Sequence, residues 1–324
     1  MLTLDFSAQD VAATRFASSR VMEVVTSVQV LKDPGAKAVH LPWVRQARER
    51  LAAAGVRYEL LSQLVPMPAW HLPHFLIATP AATAPGIEAE LAVLAATGPE
   101  TVRADLVGVA LPLPPLVAAL HEDPAAGLER LTGEIRAYWA AAVEPYWGRI
   151  VRLVEGEILY RARRMAAGGP AALFDGLHPK LRWEDGRMTV AQRRYEIERR
   201  LEGGRGLVLV PSVFVWPGLV WHAETQGQPG LIYPPRGVAT LWEASGATAP
   251  DGLARVIGRT RARLLAELDA PASTTELAAR TGLSAANVSH HLTALREAGL
   301  TDRHRTGRTV LYLRTEAAEL LLGG

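Results

Sequence analysis

The feature that most constrains the fold is a series of helix start and stop signals near the end of the chain. Ser273-Thr-Thr-Glu276 has the spacing of a capping box, in which the serine hydroxyl and the glutamate carboxylate each bind the other residue's amide. Gly282 and Gly299 can adopt the left-handed conformation that ends a helix. These signals predict three helices and a tight turn: a helix over Leu253–Leu268, a second from Ser273 to Arg280, a turn at Thr281–Leu283, and a third helix capped by Ser284 that runs to Ala298.

A β-hairpin is predicted directly after the third helix. Leu300–Leu313 alternates in polarity around Thr306-Gly307, as hairpin strands do around a two-residue turn. The order helix, helix, turn, helix, hairpin is that of a winged helix-turn-helix. Double-stranded DNA is therefore the predicted partner.

The third helix has two different sides. At about 100° per residue, Ala285, Val288, Leu292 and Leu295 share one side, which we expect to face the core. Small and hydrogen-bonding side chains project from the opposite side, and such a face suits the major groove, which admits one α-helix. His291 lies beside the apolar stripe and is equally consistent with packing or contact. The predicted DNA contacts in and before this helix are Ser273, Thr274, Ser284, Ala286, Asn287, Ser289, His290 and Thr293.

Positive charge is concentrated in the same region. Residues 255–314 carry ten arginines against five acidic residues, a net charge of +5 within a chain whose total is +2. Arg303, Arg305 and Arg308 flank the hairpin tip, where their guanidinium groups could reach phosphates. We expect phosphate contacts to supply most of the affinity and the third helix most of the sequence preference.

Residues 272–313 resemble the ArsR/SmtB family of winged-helix repressors. The resemblance rests on Leu277-Ala278, Gly282-Leu283-Ser284, Ser289-His290-His291-Leu292, Leu295 with Ala298-Gly299-Leu300, and Tyr312. It implies DNA reading by Ala286, Asn287, Ser289 and His290, wing contacts by Arg305 and Arg308, and a homodimer on a pseudo-palindromic operator. The dimer would form through the helices that flank the motif.

Two further points follow from the resemblance. The family's metal-sensing members carry cysteines on the helix that matches Thr275–Arg280, and this chain has no cysteine, so metal sensing is not carried over. The whole chain also resembles actinobacterial-type regulators of this family with a long N-terminal domain of unknown role. That likeness rests on SVQVLKDPG…HLPWVRQ, GLVLVPSVFVWPG and YPPRGVATLW.

The rest of the chain is predicted to mix helices and strands. Periodicity favours helices such as Asp10–Leu31 and Trp147–Ala166, the latter ended by Gly168-Gly169. Leu207–Trp216 (LVLVPSVFVW) is typical of a β-rich run. The predicted fold class is α+β, with a mixed α/β domain over residues 1–243 and a winged helix-turn-helix domain over residues 244–324.

The N-terminal domain is predicted to be a sensor or dimerisation domain. Aromatic side chains that could line a pocket for a small-molecule effector are Trp43, Trp70, Tyr138, Trp139, Trp147, Phe214 and Trp216. A protein-interaction scaffold and a cryptic enzyme stay open as alternatives. The common hydrolase, phosphate-loop and metalloprotease motifs are missing, so we expect no catalysis, cofactor or metal site. With no long apolar run and no leader-like N-terminus, a cytoplasmic protein without membrane attachment is expected.

Overall fold

The computed structural model describes residues 1–67, 72–107, 109, 112–191, 196–201, 203–222, 228–242, 251–268, 271–306 and 309–322. The chain is an α+β protein, as predicted, and divides into two compact units. Unit 1 comprises Met1–Gly148 and Ile158–Pro235, and unit 2 comprises Arg149–Glu157 and Arg236–Gly324. The predicted domain boundary at residues 243 and 244 lies outside the described residues.

Helices make up most of unit 1. They are α1 (Ala8–Ala13), α2 (Arg20–Lys32), α3 (Leu41–Ala53), α4 (Glu59–Leu64), α5 (Ile87–Ala95), α6 (Pro99–Leu106), α7 (Pro115–Glu122), α8 (Pro124–Tyr138) and α9 (Glu144–Phe174), of which Arg149–Glu157 belongs to unit 2. Short 3-10 helices cover Gly35–His40 and His74–Leu76, and a π-helical turn covers Trp139–Val143. Helix α9 is interrupted at Gly168 and Gly169, where the glycine pair predicted the end of a helix.

The strands of unit 1 form two four-stranded sheets. The strands are β1 (Leu2–Asp5), β2 (Arg15–Phe16), β3 (Leu181–Glu184), β4 (Arg187–Val190), β5 (Ile197–Arg200), β6 (Val208–Pro211), β7 (Val220–His222) and β8 (Gly230–Tyr233). One sheet has the order β3-β4-β1-β5 and the other the order β2-β6-β8-β7. Side chains from both sheets share a core with the end of α9, including Leu4, Phe174, Leu209 and Tyr233.

The predicted helix over Asp10–Leu31 is wrong, because the chain forms two helices there with a short strand between them. Ser7 and Asp10 form a capping box at the start of α1, and Ser19 caps α2 by accepting from the Met22 amide. Between the helices, β2 pairs in parallel with β6. A second cap and a strand partner distant in sequence therefore override the helical periodicity.

The predicted β-run over Leu207–Trp216 is strand only as far as Pro211. Beyond it, the amides of Val213 and Phe214 donate to the carboxylate of Glu23 on α2, at 2.8 and 3.3 Å, and the Ser212 hydroxyl donates to it at 3.2 Å. The side chain of Glu23 thus accepts hydrogen bonds from backbone amides that, in a continuing strand, would bond to a neighbouring strand. It binds the segment after β6 to α2.

Glu23 is 2% exposed, so its charge is costly. Burial raises the pKa of its carboxyl to about 7, although the bonds from Val213, Phe214 and Ser212 and the nearby Lys37 oppose that shift. Lys37 donates to the Phe214 carbonyl at 2.9 Å, and burial lowers the pKa of its ammonium to about 8. The link between α2 and the β6 segment is therefore sensitive to protonation near neutral pH.

Among the described residues, no helix combines the length and apolar character that crossing a bilayer requires.

Glu23→Gln should remove a pH dependence of stability in unit 1. The folded chain holds the Glu23 proton up to a pKa of about 7, whereas the unfolded chain releases it near the ordinary value of 4.5. The stabilisation is therefore complete below pH 4.5 and is lost as the pH rises towards 7. Urea unfolding followed by tryptophan fluorescence should show the free energy of unfolding, wild type minus variant, falling over this interval.

Seven of the eight tryptophans belong to unit 1, so fluorescence reports mainly on that unit. Glu49→Gln, the same substitution at an exposed position on α3, is the control and should leave the difference constant. A difference between wild type and Glu23→Gln that stays level from pH 4.5 to 7 would contradict the assignment.

Candidate nucleic-acid interface

Unit 2 contains all the elements of a winged helix. Its helices are α10 (Asp251–Ile257), α11 (Arg259–Glu267), α12 (Thr274–Thr281), α13 (Ala285–Glu297) and α14 (Glu316–Leu322), with strands β9 (Thr301–Thr306) and β10 (Thr309–Arg314). A 3-10 helix covers Val238–Trp242. The predicted single helix over Leu253–Leu268 is wrong: Gly258 has φ of +88°, outside the helical region, and separates α10 from α11.

Helix α12 begins and ends as predicted. The Ser273 amide donates to the Glu276 carboxylate at 2.8 Å, and the Glu276 amide donates to the Ser273 hydroxyl at 3.3 Å, which confirms the capping box. Gly282 follows in the left-handed conformation, with φ of +72°. Burial alone would raise the pKa of the Glu276 carboxyl, but its bonds with Ser273, and Arg152 and Arg280 nearby, lower the pKa overall. The carboxylate form that the box needs is thus favoured.

Helix α13 is oriented by an apolar stripe. Ser284 caps it by accepting from the Asn287 amide at 3.3 Å. Val288, Leu292 and Leu295 are at most 1% exposed and belong to the core of unit 2. The expectation that Ala285 would join them is wrong, because Ala285 is exposed in the first turn. The buried stripe of α13 therefore begins at Val288.

The opposite side of α13 is exposed. Side chains that the structure leaves exposed along it are Ala286, Asn287, Ser289, His290 and Thr293. The Thr293 hydroxyl donates to the Ser289 carbonyl at 3.0 Å. Ser284 is also exposed, whereas Ser273 and Thr274 are partly buried at the start of α12. The structure thus places the predicted reading residues together on one helix face, and their contact with DNA stays a prediction.

His291 lies at the edge of this face and packs inward. It is partly buried, and its Nδ1 atom is enclosed without a hydrogen-bond partner among the described residues. Burial lowers the pKa of the ring, and His290 and Arg261 nearby lower it further. The neutral form is therefore favoured, which suits a packing residue better than a phosphate contact.

The hairpin places two of the predicted wing arginines on one face. Arg303 lies opposite Tyr312 and Arg305 opposite Val310 in the antiparallel ladder, so all four share that face. Tyr312 is 8% exposed and packs in the core, whereas Arg303 and Arg305 are exposed. The same face of the ribbon is thus buried near its base and cationic towards its tip. Arg308 lies outside the described residues.

The hairpin is attached to the helices by backbone and arginine contacts. Ala272, just before α12, exchanges two hydrogen bonds with Tyr312, at 3.0 and 2.8 Å. Arg314 donates to the carbonyls of Leu265 and Ala266 at the end of α11. These bonds satisfy carbonyl groups that a helix end leaves without partners. They hold the base of the wing against the helical part of unit 2.

Sequence reasoning missed a further part of unit 2, the segment Arg149–Glu157 of α9. Arg152 lies 3.4 Å from the Glu276 carboxylate of the capping box, and Glu157, which is 3% exposed, pairs with Arg236 at 2.9 Å. The Arg236 amide also donates to Glu157. Gly156 lies so close to Pro271 that a Cβ atom there would stand 2.8 Å from the proline Cδ. A glycine within a predicted helix was the one available signal of this close approach.

The predicted effector residues lie in unit 1 and are mostly core. The rings of Trp43 and Phe214 are 4.4 Å apart, and the Trp43 indole donates to the Ala142 carbonyl. Tyr138 is buried and its hydroxyl accepts from Ser27 at 3.0 Å. Ring contacts join the remaining pairs, Trp139 with Trp147 and His40 with Trp216. Trp70 lies outside the described residues.

The comparison with known protein families agrees with this geometry. Residues 259–304 match a family described as a helix-turn-helix domain, and the match covers α11, α12, α13 and most of β9. Comparisons with curated proteins and with solved structures found no match. The C-terminal unit therefore carries a helix-turn-helix domain, which supports DNA binding and a role in transcription regulation.

Gly156→Ala should weaken unit 2, although alanine favours helices by about 1 kcal/mol over glycine. The new methyl group would press on the Pro271 ring, which has little freedom to move away. Gly148→Ala is the matched control, because it lies on the same helix with no atom within 4 Å of the added Cβ. Hydrogen exchange of the full chain should show faster exchange in α12 and α13 for Gly156→Ala only. Equal exchange in the two variants would contradict this packing.

Proposed function

We propose that this protein is a transcriptional repressor that inserts α13 into the major groove of its operator. The observation that carries the proposal is the exposed row Ala286, Asn287, Ser289, His290 and Thr293 on a helix whose other side is fixed in the core. Asparagine, serine and histidine side chains can exchange hydrogen bonds with base edges, and alanine and threonine methyl groups can contact thymine. We propose that the protein belongs to the ArsR/SmtB family.

The wing complements the helix by binding the phosphate backbone. Arg303 and Arg305 are exposed on one face of the hairpin, and guanidinium groups bind phosphates with two parallel hydrogen bonds. Such contacts raise the affinity for every duplex and position the helix, but they carry little sequence information. The proposal therefore separates affinity, supplied mainly by the wing, from sequence choice, supplied by α13.

We further propose that the protein acts as a homodimer on a pseudo-palindromic operator. The flanking helices carry large apolar side chains that are exposed in the single chain: Val256 on α10 is 83% exposed, and Leu320 and Leu321 on α14 are 74% and 47% exposed. Burying such side chains between two copies would contribute favourably to association. A dimer would also place two α13 helices for reading two half-sites.

Unit 1 is proposed to sense a small molecule in the cell and to tune the DNA affinity of unit 2. It is much larger than a winged helix needs and has its own core and sheets. An effector that binds the DNA-competent state and the DNA-incompetent state with different affinities would shift the affinity for the operator.

His290→Ala should weaken binding to the preferred site by roughly 1–3 kcal/mol and relax base preference at one position of each half-site. The preferred site is first selected from random duplexes with the full-length protein, and the variants are then compared by fluorescence anisotropy. His121→Ala, a histidine of unit 1 on α7, is the control and should bind as the wild type does. If His290→Ala kept both the affinity and the base preference, α13 would not be the reading helix as assigned.

Arg305→Ala should weaken binding to selected and random duplexes alike. Loss of one phosphate contact should also reduce the slope of log K against log salt by about 1. Arg45→Ala removes the same charge from an exposed position on α3 in unit 1 and is the matched control. An Arg305→Ala protein with an unchanged salt slope would show that this arginine does not touch the backbone.

A further inference from the structure

Unit 1 contains a cavity that is lined by none of the described aromatic residues predicted for the effector. It has a volume of about 220 Å³ and lies at the start of α2, beside α5 and the segment that follows Phe75. Four of its lining residues are alanines: Ala78, Ala81, Ala82 and Ala89. Protein interiors are normally close-packed, so a space of this size beside short side chains leaves room for a small molecule.

Three hydrogen bonds hold the loop over residues 78–85, which forms part of the rim of the cavity. The Ser18 amide donates to the Thr83 carbonyl at 2.8 Å, Arg15 donates to the Pro80 carbonyl at 2.6 Å, and Arg20 donates to the Pro85 carbonyl. The prolines at positions 80 and 85 also restrict the backbone torsions of the loop. A rim held in this way is formed before any ligand arrives, which lowers the entropic cost of binding.

One end of the cavity is polar. The carboxylate of Glu90 accepts from the Arg20 amide at 2.8 Å, from the Val21 amide at 3.4 Å, and from the Ser19 hydroxyl. Both Glu90 and Ser19 line the cavity. A carboxylate has about four acceptor positions, so three donors leave one position for a group on a ligand. That group must be a hydrogen-bond donor.

The carboxylate of Glu90 selects against anionic ligands, and the three donors that it already accepts from reduce its need for a cationic one. Burial raises the pKa of the Glu90 carboxyl, and the hydrogen bonds from Ser19, Arg20 and Val21 and the charge of Arg20 oppose that rise. The carboxylate also lies at the N-terminal end of α2, where the helix dipole stabilises a negative charge. A cationic ligand is therefore not needed to balance it. An anionic ligand would be repelled by it. The remaining walls, among them Val21, Phe75 and Leu94, are apolar.

We propose that this cavity binds a small neutral molecule with an apolar body and one hydroxyl group, which donates its proton to the Glu90 carboxylate. The apolar body lies between α5 and the loop over residues 78–85, near Val93, which is 66% exposed. The role of this cavity as the effector site of a repressor rests on the function proposed above. Its binding of a small molecule does not depend on DNA.

The test uses full-length protein with labelled alanine and valine methyl groups, titrated with three probes of equal shape. Cyclohexylmethanol should give saturable shifts of the Val21 and Val93 methyl signals. Cyclohexanecarboxylate should bind at least about tenfold more weakly, because its charge would be buried beside Glu90. Cyclohexylmethylamine should bind no more tightly than cyclohexylmethanol. No saturable shift with the alcohol, or tighter binding of either charged probe, would overturn the proposal.

A matched pair of variants locates the site. Ala89→Leu extends a larger side chain from an exposed position of α5 into the cavity, whereas Ala92→Leu makes the same change at an exposed position of α5 that does not line it. The first should lower the affinity for cyclohexylmethanol about tenfold or more, and the second should leave it unchanged. Equal affinities would place the ligand elsewhere. Because these titrations contain no DNA, they test the cavity independently of the duplex-binding experiments. Either proposal can therefore be contradicted without the other.

Discussion

The packing of Val288, Leu292 and Leu295 against the core of unit 2 is the interaction on which the account depends. These three side chains fix the rotation of α13 about its own axis. Once that rotation is fixed, helical geometry alone decides that Asn287, Ser289, His290 and Thr293 are exposed together. The apolar side of the helix therefore determines which polar side chains are available to a duplex.

The support for α13 comes from parts of the chain that are distant in sequence. The capping box that starts α12 is also approached by Arg152 on α9, and Glu157 of the same segment pairs with Arg236. The hairpin is joined to Ala272, just before α12, and, through Arg314, to the end of α11. Unit 2 is thus not made of C-terminal residues alone, since it also contains nine residues of the long helix α9, Arg149–Glu157.

Local chemistry explains which features the sequence could predict. Capping serines and left-handed glycines act within a few residues, so α12, its turn and α13 were predicted almost to the residue. Hydrophobic periodicity does not reveal backbone torsions or partners that are distant in sequence. For this reason it predicted neither the break at Gly258, nor the strand β2, nor the end of β6. The same limit applies to the cavity beside Glu90, whose walls come from segments that meet only in the folded chain. Of the aromatic residues predicted to line an effector pocket, Trp43, Tyr138, Trp139 and Phe214 are instead buried in the core.

Methylation protection on a selected duplex tests the central claim most directly. Dimethyl sulfate modifies guanine N7 in the major groove, where α13 is proposed to lie. The account predicts that the full-length protein protects guanine N7 atoms in two clusters about one helical turn apart, as a dimer with two reading helices would. Duplex binding without protection of any guanine N7, or no binding at low salt, would contradict it.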